Sequence, residues 1–90
     1  MIPEKRVPTH PGEILLEEFL RPLKLSQRAL ADELGIPLQR VNELVNGKRG
    51  VTPETAWLLA RRFKISPEFW MHLQSAHDLA VARERMKRSA

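Results

Sequence analysis

A small all-α domain of five helices is the fold class this sequence predicts, and three observations carry the prediction. Helix-opening signatures recur along the chain: His10-Pro11-Gly12-Glu13, Thr52-Pro53-Glu54 and Ser66-Pro67-Glu68 each set a proline where its missing N–H has no partner to lose, with an acidic side chain near the positive helix end. Between these openings the apolar residues recur at three- and four-residue spacing. No segment shows the strict alternation of a strand. At 90 residues the chain makes one domain. A domain this small buries only about 60% of the surface its unfolded form exposes, so an oligomer interface is expected to complete its thin core.

Residues 1–8, with Pro3 and Pro8 around Glu4, Lys5 and Arg6, read as an extended arm. A first helix follows from about Pro11 to Leu20, with Ile14, Leu15, Phe19 and Leu20 as its apolar stripe, His10 capping or bordering its start and Pro22 as its stop. Ser26 caps a second helix that ends at Gly35, where a left-handed residue is cheap for glycine. Gly35, Ile36 and Pro37 lead into a third, LQRVNELVN, which buries Val41, Leu44 and Val45 and ends at Asn46-Gly47. The fourth begins after Thr52 and carries Ala56, Trp57, Leu59, Ala60 and Phe63 at core spacing. The fifth opens at Ser66-Pro67-Glu68 and presents a wide apolar face of Phe69, Trp70, Leu73, Ala76, Leu79 and Ala80. The body of the domain therefore covers residues 9–82, and 83–90 form a charged tail expected to fray.

Composition closes several function classes. The absence of cysteine excludes a disulfide framework, a zinc finger and thiol catalysis, and it suits a reducing cytoplasm. Nothing resembles a secretory signal or a membrane span, so a cytoplasmic protein is expected. His72 and His77 stand five residues apart, about 140° around a helix, and cannot face one ion together; with His10 they form no metal-ligand pattern. No titratable groups converge as catalysis requires, so neither an enzyme, a metal nor a cofactor is expected.

The net charge of +4 favours a polyanion or an acidic protein surface as partner, although the excess is spread along the chain. Position is more informative than quantity. The second and third helices, joined by a glycine-containing turn, form a helix-turn-helix pattern. Leu38, Gln39, Arg40, Asn42 and Glu43 lie largely off the buried stripe of the third helix and can face a DNA groove. Gln39 can pair with adenine, Glu43 can accept from cytosine N4, Leu38 can touch a thymine methyl and Arg40 can grip guanine or a phosphate. An Arg40–Glu43 surface ion pair is the alternative, and the two can coexist. Ser26 and Gln27 at the start of the second helix, Asn46 at the end of the third, and Lys48 and Arg49 in the following loop are phosphate candidates. Plain helix capping competes at Gln27, Lys48 and Arg49.

HPGEILLEEF, LSQRALADELGIPLQRVNELVNGKRGVTPETAWLLARRF and SPEFWMHLQSAHDL together resemble an antitoxin of the HigA type, a branch of the XRE, lambda-repressor-like helix-turn-helix superfamily. The resemblance spans about Thr9 to Leu79, and HPGE with NGKRG and SPEFW is specific to this branch. It implies an all-helical homodimer that binds an inverted repeat of double-stranded operator DNA, represses its own operon and neutralises a cognate HigB-type toxin, a RelE-like mRNA endonuclease. It also places Gln27 and Asn46 at phosphate positions, Leu38, Gln39 and Glu43 at base-facing positions, and Lys48 and Arg49 in the basic loop. This chain departs at Pro37, where relatives often carry Ser or Thr, and at Leu38, where they carry a polar residue, so no operator sequence transfers.

Phe69, Trp70, Leu73 and Leu79 are the expected dimer contacts, because the fifth helix offers more apolar face than so small a domain covers. Glu13, Glu17 and Glu18 form the dense acidic patch of a basic chain and are the expected toxin contacts, although acidic residues early in a helix also complement its dipole. Two other functions fit the same sequence: a solitary XRE-type repressor without a toxin, and a protein-binding module that keeps the helix-turn-helix as scaffold.

Overall fold

The computed structural model describes residues 8–89, which form five helices and, among the described residues, no strand. The first, α1, covers residues 11–23 as one continuous rod: α-helical over Pro11–Ile14, π-helical over Leu15–Leu20 and α-helical again over Arg21–Leu23. Then come α2 (Gln27–Leu34), α3 (Leu38–Val45), α4 (Pro53–Phe63) and α5 (Pro67–Ser89).

Local chemistry sets the starts. His10 Nδ1 accepts from the Gly12 N–H at 2.9 Å, Ser26 Oγ from Ala29 at 3.0 Å, Thr52 Oγ1 from Thr55 at 3.3 Å and Ser66 Oγ from Phe69 at 3.3 Å. Pro37 precedes α3 and makes no such bond. The first three helices end alike, with the N–H of the residue after a left-handed one returning to a carbonyl of the last turn: Leu25 to Leu20 (2.9 Å), Ile36 to Ala31 (3.0 Å) and Lys48 to Glu43 (2.8 Å). This closure needs a left-handed residue, supplied by Gly35 (φ 70) and Gly47 (φ 74) where the sequence predicts it, but by Lys24 (φ 54) after α1.

Two expectations about boundaries are corrected. The first helix does not stop at Leu20 before Pro22; it continues to Leu23. In its π-helical stretch the Arg21 N–H reaches back to the Leu16 carbonyl, and this wider turn accommodates a proline that would clash with a carbonyl four residues back. Residues 83–89 are not a frayed tail but the last turns of α5, which has no glycine or later proline to break it and carries a Glu84–Lys87 pair at 3.8 Å. Of the predicted arm, only Pro8 lies within the described residues.

The core is built from Leu15 and Leu20 of α1, Leu30 and Ala31 of α2, Val41 and Leu44 of α3, Ala56 and Leu59 of α4, and Trp70 of α5. Trp70 is the largest of these and is 0% exposed. Phe19, Phe63 and Phe69 surround it with ring centroids 5.3, 6.5 and 5.1 Å away, Phe69 edge-on. Trp57, expected in the core from its spacing, is instead 56% exposed, because α4 turns Ala56, Leu59 and Ala60 inward. A Glu33–Arg62 ion pair joins α2 to α4 at the surface.

Candidate nucleic-acid interface

Burial of Val41 and Leu44 determines which way α3 faces. At 100° per residue the opposite side carries Gln39, Asn42, Glu43 and Asn46, with Leu38 and Arg40 on its two flanks. The predicted reading residues therefore separate into a central group and two edge residues. Leu38 is half-buried and packs against the core. Arg40 turns toward the start of α4, its Nη2 lying 3.4 Å from both Glu54 Oε1 and Thr55 Oγ1. The expected Arg40–Glu43 pair is not formed, since Glu43 is engaged elsewhere. Its Oε1 accepts from Arg49 Nε and Nη2, each at 3.0 Å, and its Oε2 accepts from Gln39 Nε2 at 3.4 Å.

The candidate phosphate groups lie at the start of α2 and just beyond α3. Ser26 uses a lone pair to cap α2 and keeps its hydroxyl proton to donate, beside Gln27 at the positive end of that helix. Asn46, Lys48 and Arg49 are exposed in the loop beyond α3, and Lys48 forms no ion pair with a described residue. Arg49 is half-exposed in its pair with Glu43, so solvent screens that bond and a phosphate can compete for the guanidinium.

Residues outside the helix-turn-helix hold it in place, and sequence reasoning did not single them out for this. Gly12 lies so close to α3 that a Cβ there would fall 1.8 Å from the Leu44 carbonyl oxygen. The glycine lets the first turn of α1 seat against the end of the recognition helix, and a glycine inside a helix start is the signal that could have revealed it. His77 of α5 donates through Nδ1 to the Pro8 carbonyl at 2.8 Å and meets His10 edge-on at 5.0 Å between centroids. Burial, and then the adjacent His77, hold the His10 imidazole below its ordinary value against an opposing pull from Asp78.

The other predicted surfaces are rearranged by the fold. Trp70 has no surface left for a dimer partner, which corrects its place among the dimer contacts; Phe69 and Leu73 are half-buried and Leu79 is 71% exposed. Met86, seven residues further along α5 and so on the same side as Leu79, is 73% exposed. Glu13, Glu17 and Glu18 are all exposed, but Glu17 is paired with Arg21 at 3.2 Å, so the patch is less acidic than its sequence suggests. Among the described residues no group of three His, Cys, Asp or Glu could hold a metal ion, and no helix is long and apolar enough to cross a membrane.

Known proteins align with this architecture over most of its length. Residues 16–70 match the helix-turn-helix family HTH_3. The antitoxin HigA-1 of Vibrio cholerae is 40% identical over 87 residues, covering 96% of this chain and 81% of its own. The structure of the Pseudomonas aeruginosa antitoxin HigA with the higBA promoter superposes with a TM-score of 0.87 at 41% identity, over 91% of this chain and 89% of that one. The antitoxin GraA in complex with its operator gives 0.87 at 36% identity, over 99% of this chain and 90% of that one. Such proteins are regulators rather than enzymes. With its five helices, its outward-facing α3 and these relatives, the chain belongs to the HigA-type antitoxins of the helix-turn-helix superfamily.

Proposed function

We propose that this protein is a dimeric operator-binding antitoxin that represses its own operon and neutralises a co-encoded HigB-type toxin. The observation that carries the reading is the outward face of α3: Gln39, Asn42 and Glu43 stand opposite a buried Val41–Leu44 stripe, flanked by the cations of the next loop. Relatives of the same fold are known with promoter or operator DNA, which supports placing α3 in the major groove. A two-fold dimer then meets an inverted repeat whose half-sites lie one helical turn, roughly 34–36 Å, or a multiple of it apart. A DNA partner is consistent with a cytoplasmic protein.

Readers and positioners separate by experiment. Gln39→Ala is expected to weaken operator binding by about 1–3 kcal/mol and to relax preference at one base pair, whereas Lys48→Ala and Arg49→Ala each weaken all sequences and lower the salt slope by about one. An unchanged ranking of operator variants in Gln39→Ala would remove the base-reading role. The toxin is proposed to dock on the opposite charge of Glu13, Glu17 and Glu18, leaving α3 on DNA. A Glu17→Lys, Glu18→Lys double variant should then lose the toxin in a pull-down and keep the operator, and a Gln39→Ala, Arg40→Ala variant the reverse.

A further inference from the structure

A cleft of about 340 Å³ separates α5 from the loop after α3, and Lys48, Arg49, Gln74 and Asp78 are among its lining. Gln74 is buried about two turns into α5, a position where a helix serving only as scaffold would carry an apolar residue. Its Oε1 accepts from the Val51 N–H at 2.7 Å and its Nε2 donates to Asp78 Oδ1 at 2.9 Å. The partners dictate that orientation, since a backbone N–H only donates and a carboxylate only accepts. Gly50 lies flat against the amide, so that a Cβ there would come within 3.0 Å of Cδ, Oε1 and Nε2. Val51 is itself buried and would have an unpaired N–H without Gln74.

The loop that bears Lys48 and Arg49 thus has an anchor at each end. On the α3 side, the Lys48 and Arg49 N–H groups close on the Glu43 carbonyl at 2.8 and 3.2 Å. On the other side stands Gln74, the sole side-chain bond to Val51 among the described residues. We infer that Gln74, oriented by Asp78, is a positioning residue for operator binding: it sets the height of the Lys48–Arg49 loop and makes α5 part of the DNA-binding apparatus without touching DNA. The inference rests on the proposed meeting of this loop with phosphate.

The test exploits the polarity of the two bonds. Gln74→Met keeps length and loses both; Gln74→Glu keeps an acceptor for Val51 but sets a second carboxylate against Asp78. Both variants are expected to bind operator about tenfold more weakly at fixed salt, to lower the salt slope, to keep the ranking of operator variants, and to speed exchange of the Val51 amide proton. Combining Gln74→Glu with Asp78→Asn restores a donor facing an acceptor, and affinity and Val51 protection should return to within about threefold of the parent. Circular dichroism at the assay temperature selects conditions under which every variant is folded. Parental operator affinity in both single variants, or a double variant that regains Val51 protection without affinity, overturns the inference. A Lys48→Ala, Arg49→Ala control separates the two ideas. An unchanged salt slope there overturns the phosphate reading and the operator effect with it, while a reduced slope beside unaffected Gln74 variants overturns the positioning role alone.

Discussion

The recognition helix and the last helix meet their surroundings in opposite ways. α3 is eight residues long, buries Val41 and Leu44, and engages Gln39, Arg40 and Glu43 with neighbouring side chains of its own chain. α5 has 23 residues, about 35 Å at 1.5 Å per residue, and only its first turns reach the core, through Trp70 and Gln74. Beyond them Leu79 and Met86 are 71% and 73% exposed. A helix that must present a defined face to DNA is locked by contacts within the chain. A helix whose apolar side chains outrun the core leaves Leu79 and Met86 uncovered within the chain, and these are the residues the proposed dimer would cover.

The two helices differ most in what their apolar residues do. Trp70→Ala should destabilise the fold by about 3–5 kcal/mol in urea unfolding, because it empties the space among Phe19, Phe63 and Phe69. Leu79→Ser with Met86→Ser should change the stability of the monomer by no more than about 0.5 kcal/mol per site, yet shift the monomer–dimer balance in sedimentation by tenfold or more, about 1.4 kcal/mol. Comparable unfolding losses in both would mean that the distal half of α5 is core after all.

Gly12→Ala tests how firmly α3 is seated. Its Cβ would meet the Leu44 backbone, which cannot rotate aside, so a loss of about 1–3 kcal/mol is expected in thermal or chemical unfolding, with weaker operator binding in the folded fraction. An unaffected variant would show that α1 can move without disturbing the recognition helix.

Acid should loosen the same contact more gently. His10 is held below its ordinary 6.5 in the folded chain, so below that pH the unfolded chain takes up a proton that the folded one resists. Stability therefore falls as pH drops from about 6.5 toward the folded value and levels off below it, and a protonated ring can no longer accept from the Gly12 N–H. His10→Asn, which retains a capping acceptor, should flatten this part of the pH profile of the melting temperature. A profile with the same slope in the variant would assign the dependence to another group.

The smallest effect is expected at Glu43→Gln, which releases Arg49 from an exposed pair worth at most about 1 kcal/mol. Binding to unrelated DNA should strengthen slightly and become more salt-dependent in anisotropy titrations, while discrimination at the base facing residue 43 declines. Unchanged non-specific binding would show that the pair with Glu43 does not restrain Arg49.

Local sequence specifies where the helices begin, where α2 and α3 end, and which side of α3 is buried. Ser26, Thr52 and Ser66 cap backbone groups three residues away, Gly35 and Gly47 supply left-handed turns, and Val41 with Leu44 marks a face by spacing alone. All of these interactions close within one or two helical turns, so the pattern along the chain contains them. Choices that need a neighbour distant in sequence are made only by the packed fold. Trp57 and Trp70 both sit in apolar periodic runs, and packing against Phe19 and Phe63 buries only the second. Arg40 has Glu43 within reach on its own helix and takes Glu54 and Thr55, while Gln74 finds Val51 across 23 residues. A side chain's partner depends on how helices cross, and that geometry arises only when the apolar faces of α1, α3, α4 and α5 are packed together.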